Sequence, residues 1–238
     1  MRTTRRVRLG AAALAASALA LALRPSEASP LKVDELVRQT LQLDSNAQNG
    51  AKVYAARCAR CHGAGAIGNA ETVIPSLAGQ RRAYLVKQLA DFSELERDSK
   101  DMHAIVTRPD LSDPQVWADV SAYLNALPPL RYPQAGAQQE VELGEAIFQQ
   151  HCASCHEEDA RGDDDGFVPS LRDQHYSYLV RQMRSIASWH RLNVDEDLVR
   201  FLDSLDDDEQ TAVAAYLSRL HGPVRDRTKM RDDGTVGD

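Results

Sequence analysis

The sequence predicts an all-α fold of two tandem domains, residues 44–128 and 138–222. Three observations carry that expectation. The chain repeats itself at an offset of 94 residues, its apolar positions recur at three and four residues rather than alternating, and each repeat holds one Cys-x-x-Cys-His segment. Gly50, Tyr54, Cys58, Cys61, His62, Pro75, Ser76, Leu77, Tyr84, Leu85, Val86 and Gln88 return without a gap as Gly144, Phe148, Cys152, Cys155, His156, Pro169, Ser170, Leu171, Tyr178, Leu179, Val180 and Gln182. Val120 to Leu124 then matches Val213 to Leu217 after one deletion.

The elements follow in chain order. Residues 1–28 read as a secretory signal peptide, with Arg2, Arg5, Arg6 and Arg8 ahead of the apolar run Leu9 to Leu23 and small residues at Ser26 and Ala28. The competing reading is an uncleaved anchor, but a bilayer asks for a longer run, ~20 residues. Residues 29–43 form an extension in which Val33, Leu36, Val37 and Leu41 suggest a short packing helix. One helix ends in the first Cys-x-x-Cys-His, and a second carries Tyr84, Leu85, Gln88, Leu89 and Phe92. A third, opened by Ser112 or Asp113 with Pro114 at its first position, presents Trp117, Val120, Leu124 and Leu127 on one face and stops at Pro128-Pro129. Residues 129–137 read as a linker, and residues 223–238, charged and aperiodic, as a mobile tail.

Composition excludes several classes. With 43% hydrophobic and 26% charged residues, the chain is too polar for a multi-span membrane protein and too apolar for disorder. Loss of the leader, with five Arg and one Glu, moves the net charge from −7 to −11, which argues against nucleic-acid partners. The acidity is uneven: residues 44–128 carry −1 and residues 138–222 carry −11, so the runs Glu157 to Asp159, Asp163 to Asp165 and Asp206 to Glu209 suit either a solvated face or the steering of a basic partner. Aromatic residues make up only 5%, little bulk for two small cores unless another apolar body fills them.

Cys58-Ala59-Arg60-Cys61-His62 and Cys152-Ala153-Ser154-Cys155-His156 supply that body, since Cys-x-x-Cys-His is the attachment signature of c-type haem. Positions i and i+3 of a helical turn share a face, so both sulfurs reach one porphyrin and the next residue offers its imidazole to the iron. A thioredoxin-like pair asks for a strand-helix context that the pattern lacks. Zinc asks for four ligands in one site, and an i, i+3 disulfide closes almost no loop. Two covalent haems are therefore expected, with His62 and His156 as iron ligands and the carbonyls of Pro75 and Pro169 orienting the two rings. Asp163 to Gly166 is a weakly specified calcium loop.

Cys58 to Gly63, Ile74 to Gln80 and Tyr84 to Leu89 together resemble the dihaem cytochrome c4 family, strongly in the first domain and more loosely in the second. The resemblance implies two cytochrome c-like haem domains in the periplasm. It also implies single-electron transfer between redox partners such as a membrane respiratory complex or terminal oxidase. It further implies His/Met ligation, the pairing that raises reduction potential. Met102 lies where the family places its axial methionine, with His103 as rival. In the second domain the matching position is Glu196, no methionine is near, and Met183 aligns with the packing residue Leu89. His190 is the first candidate for that iron, ahead of His175, another residue or an open position, with His151 and His221 as bystanders. An open second iron is the alternative reading. It would make the chain a dihaem enzyme or small-molecule binder, peroxidase-like or a sulfur-compound dehydrogenase, with Glu196 or Asp197 as acid or base.

Overall fold

A computed structural model describes residues 30–131, 133–191 and 193–222. The leader, the tail, Met1 and Met230 lie outside the described residues. All regular elements described are helical, as the apolar spacing predicts. The first half holds α1 (Pro30–Gln42), α2 (Ala47–Arg57), α3 (Ala59–His62), α4 (Arg82–Ser93), α5 (Lys100–Val106) and α6 (Pro114–Ala126). After a 3-10 turn at Gln138–Glu140, the second half holds α7 (Val141–His151), α8 (Ala153–His156), α9 (Tyr176–Ala187), α10 (Glu196–Ser204) and α11 (Asp207–Leu217).

Side-chain caps set the helix starts. Asn46 accepts the Asn49 N–H, Ser99 that of Met102, and Asp113 that of Gln115 ahead of Pro114. Asp206 and Glu209 close a reciprocal capping box on α11. In each domain the first helix crosses the last at a glycine: a Cβ on Gly50 would lie 2.1 Å from the Asp119 carbonyl oxygen, and one on Gly144 1.9 Å from that of Ala212. Beside each crossing stands an aromatic pair, Tyr54 with Tyr123 at 5.5 Å and Phe148 with Tyr216 at 5.6 Å. The helix suggested by Val33 and Val37 is α1, which buries both against Val86, Ala90 and Trp117.

The repeat also organises the contact between the halves, which is reciprocal. Gln80 Nε2 donates to the Ser170 carbonyl and its Oε1 accepts the Ser170 N–H, at 2.9 and 2.8 Å. Gln174, 94 positions on, treats Ser76 identically, at 2.9 Å in both directions. Arg97 and Arg191 face each other across an antiparallel bridge, both buried. Arg97 donates to the Tyr178 hydroxyl and to Gln182, while Arg191 donates to the Tyr84 hydroxyl and to Gln182. Backbone groups matched one to one in this way fix a single docking register, because any slip leaves them buried without partners. The double change Gln80→Ala with Gln174→Ala removes four such bonds at ~1 kcal/mol each. Calorimetry is expected to show the single unfolding transition splitting into two; a single transition at an unchanged midpoint would show that the interface does not couple the halves.

The linker is fastened to the second domain. The Gln134 carbonyl accepts the Tyr176 N–H at 2.9 Å, and the Gly136 N–H donates to Ser218 Oγ at 3.2 Å. The calcium-loop residues are likewise committed: Asp163 accepts the Gly166 N–H at 2.7 Å, and Asp164 accepts the Ala83 N–H of the first domain at 2.9 Å.

Candidate haem sites

Both Cys-x-x-Cys-His segments are built alike. α2 breaks at Cys58 and restarts as the single turn α3, in which Cys61 and His62 donate their N–H groups to the Cys58 carbonyl at 3.1 and 3.0 Å. α7 breaks at Cys152, and Cys155 and His156 donate to its carbonyl at 3.2 and 3.0 Å. One cysteine of each pair packs into the domain core and the other is exposed. Cys58 joins the cluster of Tyr54, Leu85 and Leu124, and Cys152 that of Phe148, Leu179 and Leu217. Burial pushes the Cys58 and Cys152 thiols up to about 11.

The chain then turns back and delivers a carbonyl to each motif histidine. His62 Nδ1 lies 3.2 Å from the Pro75 oxygen, and His156 Nδ1 3.1 Å from the Pro169 oxygen. A carbonyl only accepts, so Nδ1 carries the proton and Nε2 keeps its lone pair for a metal. Burial lowers the pKa of both rings and holds them neutral, which metal ligation also requires. Gly68 and Gly162 permit the approach: both have positive φ, and a Cβ would sit 2.5 Å from the Pro75 oxygen and 2.4 Å from that of Pro169. The bridges Asn69 with Ile74 and Asp163 with Val168 close the small loops that carry the two prolines. Two thiols three residues apart at a single helical turn, a neutral imidazole with Nε2 available and a carbonyl that fixes the Nδ1 proton are the donor set that covalent haem c needs, and it is present twice.

The opposite sides of the two sites differ. In the first domain, α5 begins at its cap Ser99 with the half-buried Met102 in its first turn and is anchored by buried Val106. His103 donates from Nδ1 to the Phe92 carbonyl at 2.9 Å. In the second domain, α10 begins at its cap Asp195, so cap-to-cap register sets Leu198 opposite Met102 and buried Leu202 opposite Val106. Glu196, the match in the ungapped sequence, is shifted because two extra residues separate Arg191 from the helix cap. Glu196 and Asp197 both pair with Arg200 at the exposed start of α10, a placement that gives neither carboxylate the character of a buried acid or base.

The remaining histidines are accounted for individually. His190 is exposed just beyond α9, with Nδ1 2.8 Å from Ser188 Oγ. His175 is buried between the domains with both nitrogens engaged, Nδ1 accepting from the Gln134 N–H at 3.2 Å and Nε2 donating to the Ile67 carbonyl at 2.8 Å. His221 pairs with Asp173 at 3.1 Å, and His151 stacks on Phe201 with ring centroids 4.6 Å apart. The interdomain residues Arg97 and Arg191 escaped the sequence reading, although they lie on the same 94-residue offset as Tyr84 and Tyr178.

Known proteins share these features. A family model described as Cytochrome c matches residues 47–128 and 141–221. A thiosulfate dehydrogenase electron acceptor of Stutzerimonas stutzeri (strain A1501) is 31% identical over 198 residues, covering 76% of this chain and 90% of that protein. A cytochrome c4 of Pseudomonas aeruginosa is 30% identical over 177 residues, covering 70% and 85%. The crystal structure of reduced recombinant cytochrome c4 from Pseudomonas stutzeri superposes with a TM-score of 0.66 at 25% identity, over 75% of this chain and 100% of that one.

Proposed function

This chain belongs to the cytochrome c family, in its dihaem cytochrome c4 branch, and we propose that it carries single electrons through the periplasm between redox-protein partners. The observation that carries the reading is the duplicated donor set, with His62 and His156 each held by a proline carbonyl in a site that keeps the ring neutral. When bound, each haem supplies a one-electron ferric/ferrous couple. The chain's own residues do the rest. Cys58, Cys61, Cys152 and Cys155 hold the two groups covalently. His62 and Met102 serve as ligands in the first domain and His156 in the second.

Charge gives the transfer a direction. The second domain carries −11 against −1 in the first, and negative charge favours the ferric state, so the second haem is read as the lower-potential one and the donor to the first. The acidic runs of that domain suit entry of electrons from a basic partner surface. The printed name of the Stutzerimonas relative supports a donor that oxidises a reduced sulfur compound, and the resemblance to cytochrome c4 supports an oxidase-type acceptor. Among the described residues no helix is long and apolar enough to cross a membrane.

The carrier reading expects both irons to be closed. Carbon monoxide added to the reduced protein is expected to leave its spectrum unchanged over minutes. Fast stoichiometric binding at one haem would instead favour the enzyme or ligand-binding reading. Potentiometric titration is expected to place the second haem below the first, and the reverse order would sink the proposed direction.

A further inference from the structure

We infer that Met183 supplies the sixth iron ligand of the second domain, from the middle of α9 rather than from the α10 position that corresponds to Met102. The inference rests on the carrier reading, in which both irons are six-coordinate, and it replaces the expectation that no methionine serves this site.

α10 itself offers no donor. In cap register Leu198 stands where the first domain has Met102, and the residues that α10 packs into its cluster with α9 are Leu198, Val199, Phe201 and Leu202, followed by Leu205 at the C-cap. Its two carboxylates near the start are spent on Arg200 in solvent. The histidines are no better placed: His175 has both nitrogens bonded, His221 is held by Asp173, and His151 and His190 are exposed. For His190 to ligate, it would have to give up Ser188 and turn inward.

Met183 already packs against buried residues. It follows Leu179 and Val180 by one helical turn and precedes Ile186 and Ala187 by another, so it lies on the buried stripe of α9. Two apolar clusters meet on that stripe. One gathers Phe148, Leu179, Val180 and Leu217 and receives Cys152, the attachment residue; the other gathers Ile186, Val199 and Leu202 of α9 and α10. Met183 packs against both, and among the described residues it is the one the two clusters share. Its counterpart Leu89 packs instead in the cluster of Val33, Val86 and Trp117, under α1. The second domain thus sets a soft, neutral sulfur donor where the cluster that receives Cys152 meets the cluster of α9 and α10, at the repeat position that Leu89 holds in the first domain.

A thioether has no proton to lose, so ligation is a dative bond from the Sδ lone pair to iron and releases nothing. The test uses the mature dihaem protein. Methionine bound to ferrous haem shows a strongly shifted ε-methyl proton resonance, and bound to ferric haem a far-red sulfur-to-iron charge-transfer band. Two such resonances are expected in the wild type. Met183→Leu is expected to lose one of them and half of the band, Met102→Leu the other, and His190→Ala neither. A single resonance in the wild type that Met102→Leu abolishes would overturn the assignment, as would both resonances surviving Met183→Leu. The wild-type spectrum decides without any variant, and Met183→Leu keeps the volume that Leu89 has in the first domain. A single resonance with no carbon monoxide binding would defeat Met183 alone, whereas rapid carbon monoxide binding at the second haem would defeat the carrier reading as well.

Discussion

Replacing Gly144 by alanine is expected to cost the second domain roughly 3 kcal/mol, the upper end of what overpacking commonly costs. The new Cβ would sit 1.9 Å from the Ala212 carbonyl oxygen and 2.4 Å from its carbon, both backbone atoms of α11 that no rotamer change can move. α7 and α11 must separate or slide, which disturbs the Phe148–Tyr216 contact. The same α7 leads directly into Cys152, so the strain reaches the attachment segment. Against a total of about 5–15 kcal/mol for a domain, the loss is large. Denaturant unfolding followed through the haem absorbance is the measurement. Gly65→Ala, whose Cβ would meet nothing nearer than 3.6 Å, is the control and is expected to fall within ~0.5 kcal/mol of wild type. A Gly144→Ala protein as stable as that control would mean that the crossing is looser than described.

Much of the fold was legible because its signals are local or repeated. Asp113 ahead of Pro114 marks the start of α6, and the structure puts the cap on that aspartate. Pro75 and Pro169 each follow their motif histidine by 13 residues, and both carbonyls reach the rings. What escaped depends on two distant segments agreeing. The ungapped offset sets Glu196 against Met102, but two residues inserted before Asp195 and a span three residues shorter from there to the next cap, Asp206, move the helix cap while the flanking match shifts by only one position. No local pattern reports such a compensated shift. His175 likewise reads as a spare metal ligand in sequence, and only the docking of the halves reveals that Ile67 and Gln134 use up its nitrogens. Sequence periodicity marks Met183 as a core residue, which is true, and is silent on its lying between two clusters rather than inside one.

The largest functional effect is expected from Met102→His. A thioether is a soft, weak donor that favours ferrous iron, and an imidazole is a stronger donor that favours ferric iron, so the exchange lowers the potential of the first haem. Axial ligation spans about 0.8 V across haem proteins, and a shift of roughly a quarter of that range is anticipated. At ~2.3 kcal/mol per 100 mV for one charge, such a shift amounts to ~4.6 kcal/mol, enough to leave the reducing electron on the second haem at equilibrium. The cost to the fold is small by comparison, since Met102 is only half-buried and the start of α5 is held by the Ser99 cap and the buried Val106. Potentiometric titration should therefore show the upper of the two midpoints falling while the lower stays within a few tens of millivolts. His103→Ala provides the discriminating control: its ring is tied through Nδ1 to the Phe92 carbonyl, and removing it is expected to leave both midpoints near their original values. If the upper midpoint responds to His103→Ala and ignores Met102→His, the first iron is held by two histidines, and the uneven charge of the two domains becomes the principal source of any difference between the haems.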